Sequence, residues 1–194
     1  MSATDSQRAS SALESLPRSY SPLDSEPEVR ASWTRHGDFH GVPGEEGSDR
    51  YGVLIPPPNV TAALHLGHAF NNTIQDILVR HHRMRGARTL WMPGTDHAGI
   101  ATQSVVEKRL LRQGKKRTDF SREAFVEQVQ AWKDEYEETI LGQLGEMGCS
   151  CDFDRTRFTM DPVCAAAVRE AFFRLFQDGL DRKSTRLNSS HANI

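Results

Sequence analysis

Tyr51–Ile55 reads YGVLI, and Pro56–His68 reads PPPNVTAALHLGH. The first stretch is a short apolar run, and three prolines end it. That is the signature of a buried strand with a hard stop. The second stretch leaves the carboxyl end of that strand and enters a helix. From about His65 to Arg85, Leu66, Phe70, Ile74, Ile77 and Leu78 recur at helical steps, and Gly86 is a plausible C-cap. Arg88–Met92 (RTLWM) is a second short strand, stopped by Pro93-Gly94. A second helix is predicted from about Ala98 to Gln113, with Gly114 as its stop. Strand–helix–strand–helix at this spacing argues a parallel α/β unit with a right-handed crossover.

The chain after Gly114 is predicted to be helical. Ser121 can cap a long helix that carries Phe125, Val129, Trp132, Tyr136, Ile140 and Leu144 on one face, which makes a core stripe. Asp161-Pro162 opens another helix, with Asp as N-cap and Pro at the first helical position. Its apolar face is Val168, Ala171, Phe172, Leu175 and Phe176, and Gly179 can end it.

The 194 residues suffice for one domain or one and a half. Hydrophobic residues make up 37% and charged residues 26%, and no run approaches 18 apolar residues, so no membrane span is expected. A net charge of −2 leaves no bulk electrostatic footprint for nucleic acid. Three sparse cysteines, Cys149, Cys151 and Cys164, argue against a disulfide scaffold and for a reducing cytoplasm.

The two ends differ from the middle. The first fifty residues hold five Arg, no Lys and nine acidic residues, and eight serines fall in the first 25. Residues 1–19 are expected to be a disordered leader. Asp5 and Glu14 weigh against a mitochondrial transit peptide, leaving mitochondria as the less favoured location. Residues 181–194 (DRKSTRLNSSHANI) have no helical or strand period. Asp181–His191 resembles a translated sequencing-library adapter, so the native message is expected to continue past Leu180.

The chemistry concentrates in two loops. In parallel sheets, ligands bind at the carboxyl ends of strands. His65 and His68 stand three apart on the first turn of a helix, where free backbone N–H groups favour an anion. Gly67 between them lets a flat ring approach the backbone. Together they make a reasonable phosphate site. Other readings are two solvated helix histidines, a zinc site without a third ligand at fixed spacing, or prolines that only stiffen a turn. The second loop, Pro93–His97 (PGTDH), follows the second strand. Asp96 there could hold a substrate ammonium, or Thr95 or Asp96 could merely cap the next helix.

His65-Leu66-Gly67-His68 resembles the signature tetrapeptide of class I aminoacyl-tRNA synthetases. Pro56–Ala69 together with Gly94–Glu107 (GTDHAGIATQSVVE) resembles the valyl-tRNA synthetases more specifically. The likeness continues through HRMRG (His82–Gly86), SREAF (Ser121–Phe125), FDRTRFTMDP (Phe153–Pro162) and AVREAFFRL (Ala167–Leu175), covering roughly residues 20–180. Ala62 stands where valyl enzymes usually carry glycine, and no Lys-Met-Ser-Lys-Ser loop occurs in the chain.

The resemblance implies the first half of a Rossmann-like parallel nucleotide-binding domain, followed by helices. It implies ATP-dependent activation of valine to valyl-adenylate, with Mg2+ on the nucleotide, and transfer to tRNA(Val). His65 and His68 would act on the phosphates and Gly67 would face adenine. Pro57, Asn59 and Asp96 would hold the amino acid. No resident metal is implied. The complete enzyme would be a ligase, and this segment alone is expected to be inactive. An alternative is a non-catalytic nucleotide-binding module.

Overall fold

The computed structural model describes residues 19–44 and 48–181. Apart from Ser19 and Asp181, the expected leader and tail lie outside the described residues. The chain divides into two compact units between Phe39 and His40. The described part of the first is helix α1, Pro22–His36, with Pro22 in its opening turn and Asp24 near its positive end. Gly37 ends it at φ 64°, and the Trp33 and Phe39 rings meet at 5.0 Å. Residues 22–36 show little amphipathic period, and the helix buries none of them. That explains why periodicity predicted no element here.

The second unit begins with strand β1, Arg50–Leu54, followed by α2, Leu66–Met84, and β2, Arg88–Met92. β1 and β2 pair in parallel with Arg50 opposite Arg88 and Leu54 opposite Met92, as the βαβ reading requires. Gly86 lies just past α2 at φ 87°, a conformation that favours glycine. After β2 the chain forms the short strand β3, Gly94–Thr95, then α3, Gly99–Arg112, and α4, Arg122–Glu146. Ser121 caps α4 by accepting from the Ala124 amide at 3.1 Å. β4, Arg157–Phe158, pairs in parallel with β3, and α5, Pro162–Gln177, closes the described chain. Asp161 caps α5, accepting from the Cys164 amide at 2.7 Å. A Cβ on Gly94 would sit 2.6 Å from the Arg157 carbonyl oxygen, so only glycine admits the β3–β4 pairing as it stands.

Ile55, Val60, Val79, Trp91, Ile140, Leu144, Cys149 and Cys151 form the main core, and Val106, Leu110 and Phe125 a second. The α4 stripe is core as its spacing predicts: Phe125, Ile140 and Leu144 are buried, and Val129, Trp132 and Tyr136 pack beside them. All three cysteines are free thiols.

Two other apolar stripes are not buried. Phe70, Ile74, Ile77 and Leu78 on α2 are exposed, as are Val168, Phe172, Leu175 and Phe176 on α5. The buried face of α2 is largely polar instead. Asp76 Oδ1 accepts from the Ser150 amide and hydroxyl at 2.9 and 2.6 Å, and Arg80 donates to the Gly148 carbonyl at 2.8 Å. Gln75 accepts from the Trp91 indole at 3.2 Å. These bonds fix which side of α2 faces inward, and hydrophobic spacing carries no trace of them.

Candidate active site

Both loops leave the same end of the parallel strands. The Pro56–His65 loop and the Asp96 loop are laced by backbone bonds. The Asp96 amide donates to the Pro58 carbonyl at 2.8 Å, and the Val60 amide donates to the Asp96 carbonyl at 3.0 Å. Asn59 and Asp96 therefore stand opposite one another in a parallel bridge. Pro57 and Asn59 are exposed beside it.

Helix α4 supports both loops. Trp132 donates its indole N–H to the Val60 carbonyl at 2.9 Å. Gln143 Oε1 accepts from the Leu64 amide at 2.7 Å. Glu137 accepts from the buried Thr95 hydroxyl at 2.8 Å and pairs with Lys133 at 2.6 Å. Burial opposes the Lys133 charge, yet the bonds to Glu137 and Asp134 outweigh it and raise its pKa above the ordinary value. The α4 stripe signalled packing for Trp132 but not this polar role. An indole packed against the core needs an acceptor for its N–H, and that is the available clue.

His65 is the N-cap of α2. Its Nδ1 accepts from the Gly67 amide at 3.1 Å, while the His65 amide donates to His68 Nδ1 at 3.3 Å. The two rings lie 3.9 Å apart at 31°. An Nδ1 that accepts carries no proton, so each neutral ring carries its proton on Nε2. Burial, and then the neighbouring His65, push the His68 pKa below the ordinary histidine value, which keeps it neutral. The pair thus offers two N–H donors at a helix N-terminus, where the dipole also favours an anion. A Cβ on Gly67 would come within 2.9 Å of His65 Cε1. The glycine makes room for the neighbouring imidazole, a closer demand than the flat ring expected from sequence. No hydrogen bond joins the histidine pair to Asp96 among the described residues.

Neither Thr95 nor Asp96 caps α3. Its N-cap is Ala98, held at φ 42° with no side-chain cap bond. A non-glycine residue there stores on the order of 1 kcal/mol, a feature concentrated at functional turns. The Asp96 carboxylate instead accepts from Thr159 at 2.9 Å through Oδ1. The zinc reading finds no support beside His65 and His68. Among the described residues, the group able to hold an ion is His40, Asp152 and Asp154. Asp152 already bonds the Gly41 amide and Arg155 there. No helix of the described residues is long and apolar enough to cross a membrane.

Over 165 residues the chain is 54% identical to the valine–tRNA ligase of Rhodopirellula baltica, covering 84% of this chain and 16% of that protein. Over 169 residues it is 52% identical to the valine–tRNA ligase of Chlamydia pneumoniae, covering 86% of this chain and 18% of that protein. The chain therefore spans less than a fifth of the length of these relatives. Among solved structures, the LeuRS–tRNA–LeuAMS ternary complex of Agrobacterium radiobacter superposes with a TM-score of 0.67. That match has 20% identity and covers 84% of this chain and 19% of that one, a likeness of fold. The family described as tRNA synthetases class I (I, L, M and V) matches residues 28–191, a span that runs past Leu180. With most of its length inside that match, the chain belongs to the class I tRNA synthetases.

Proposed function

We propose that this chain supplies the first half of the catalytic domain of a valine–tRNA ligase, working in the cytoplasm. The observation that carries the proposal is the mutual capping of His65 and His68. It leaves two neutral imidazoles with Nε2 protons at a helix N-terminus, beside a loop in which Asp96 faces Asn59. In this reading the valine carboxylate oxygen attacks the α-phosphorus of ATP. The new O–P bond forms as the α–β bridging bond breaks, and pyrophosphate leaves with its electron pair. A hydroxyl of the terminal ribose of tRNA(Val) then attacks the carbonyl carbon of valyl-adenylate, the ester bond forms as the anhydride C–O bond breaks, and AMP leaves. Mg2+ would arrive on the nucleotide phosphates.

The residues here bind and orient. His65 and His68 donate to phosphate oxygens as charge moves onto them, Gly67 keeps the His65 ring in place, and Asp96 holds the ammonium. Pro57 and Asn59 border the amino-acid side. Transfer of this kind depends mostly on positioning and preorganised charge stabilisation.

The test grafts residues 20–180 in place of the matching segment of the Rhodopirellula baltica enzyme and measures ATP–pyrophosphate exchange. Valine should support exchange far better than leucine or isoleucine, and the 194-residue chain alone should charge no tRNA. A graft that folds and binds ATP but exchanges with no amino acid would instead indicate a nucleotide-binding module.

A further inference from the structure

Thr159 sits where three polar atoms converge. Its Oγ1 lies 2.9 Å from Asp96 Oδ1, 2.9 Å from the His97 amide nitrogen and 2.6 Å from His97 Nδ1. The amide can only donate and the carboxylate can only accept. A hydroxyl has one proton, so that proton goes to Asp96 while Oγ1 accepts from the amide. A hydroxyl committed in this way can meet His97 Nδ1 only as an acceptor, so Nδ1 carries a proton. Asp96 Oδ1, at 3.3 Å from Nδ1, favours the same placement.

The fold fixes Thr159 by main-chain bonds. Its amide donates to the Thr95 carbonyl at 3.1 Å, extending the β3–β4 register by one residue. A slip of one position would bring Phe158 or Met160 to this point and remove the hydroxyl.

We infer that Thr159 is a positioning residue that pins one oxygen of the Asp96 carboxylate for the substrate ammonium and holds His97 as the Nδ1–H tautomer. The inference rests on the reading of Asp96 given above. Asp96 Oδ2 has no hydrogen-bond partner among the described residues, so the pinned carboxylate keeps one oxygen for a ligand. The tautomer leaves Nε2 as an acceptor on a ring that lines a cavity of about 490 Å3, together with Gln130, Lys133, Phe158 and Met160. This is the reverse of His65 and His68, whose protons sit on Nε2. In the sequence Thr159 falls within the FDRTRFTMDP stretch, and no local spacing singles out its hydroxyl.

Two measurements test the inference. In the 194-residue chain, 15N-histidine NMR above pH 7.5 should show His97 protonated at Nδ1. Thr159→Ser should keep that tautomer, and Thr159→Val should shift the ring towards Nε2–H. An Nε2–H ring in the unaltered chain, or one indifferent to Thr159→Val, overturns the inference. In the grafted ligase, Thr159→Val should raise the KM for valine about tenfold with the KM for ATP within about twofold. Thr159→Ser should recover most of the loss. If Asp96→Asn raises the valine KM but Thr159→Val does not, Thr159 has no positioning role and the Asp96 reading survives. If neither variant changes it, the Asp96 reading fails as well. Equal damage by Thr159→Val and Thr159→Ser also overturns the inference, since it would mean that the hydroxyl is not what matters.

Discussion

His65 and His68 cap one another: each Nδ1 accepts a backbone amide of the other's turn, at 3.1 Å from Gly67 and 3.3 Å from His65. The residues that start the helix are therefore those proposed to meet phosphate. Local structure and function share the same bonds, and perturbing one perturbs the other.

Gly67→Ala separates the two. The new Cβ would press on the His65 ring at 2.9 Å and break its cap bond. Losing a cap costs about 0.5–2 kcal/mol, and alanine recovers up to about 1 kcal/mol of helix propensity. Denaturation of the chain should therefore shift by no more than about 2 kcal/mol. The KM for ATP of the grafted ligase should rise several-fold. An unchanged KM for ATP would show that the His65 position is not needed.

Acid should loosen the start of α2. His68 titrates below the ordinary histidine value of 6.5, because burial and His65 disfavour its charged form. A group with a lowered folded pKa contributes its stability above the unfolded value and loses it as pH falls through the folded one. Protonation puts a hydrogen on Nδ1, which can then no longer accept the His65 amide. Amide exchange at His65 should therefore quicken, relative to mid-helix amides, as pH drops from about 6.5. No relative change down to pH 5 would mean the cap does not depend on the neutral ring.

Apolar helix residues should split by stripe. Ile140, buried in the main core, should cost about 2–5 kcal/mol on change to Ala. Phe172 is 61% exposed, and its change to Ala should fall within about 0.5 kcal/mol. Urea denaturation of the chain compares them directly, and similar losses would contradict the burial described here.

The three thiols should differ in reactivity. Burial pushes the Cys149 thiol up to about 12 and raises Cys151 as well. Cys164 is raised too, by burial and Asp161, but it is only half-buried. Iodoacetamide at pH 8 should label Cys164 first by peptide mass spectrometry. Early labelling of Cys149 or Cys151 would show that the core opens readily.

How legible this was in the sequence depends on which force set each feature. The parallel strands, the long α4 stripe, and the Ser121 and Asp161 caps follow from local chemistry, and the structure has them where the spacing put them. The two loops were legible because strand ends, prolines and histidines mark them. The inward face of α2 was not, because Asp76 and Arg80 reach partners far along the chain at Ser150 and Gly148. Thr159 stayed hidden for the same reason: its bonds to Asp96 and His97 span more than sixty residues. Asp96 looked equally suited to capping α3, and only the structure shows Ala98 in that place.

The central claim is that the two loops divide the ligands, with phosphate at His65 and His68 and ammonium at Asp96. Pyrophosphate exchange by the grafted ligase carrying Asp96→Asn tests it most directly. A charge-assisted contact contributes roughly 1.5–3 kcal/mol, so the KM for valine should rise about tenfold or more. The KM for ATP should stay within about twofold. An unchanged valine constant, or equal rises in both, would contradict the division.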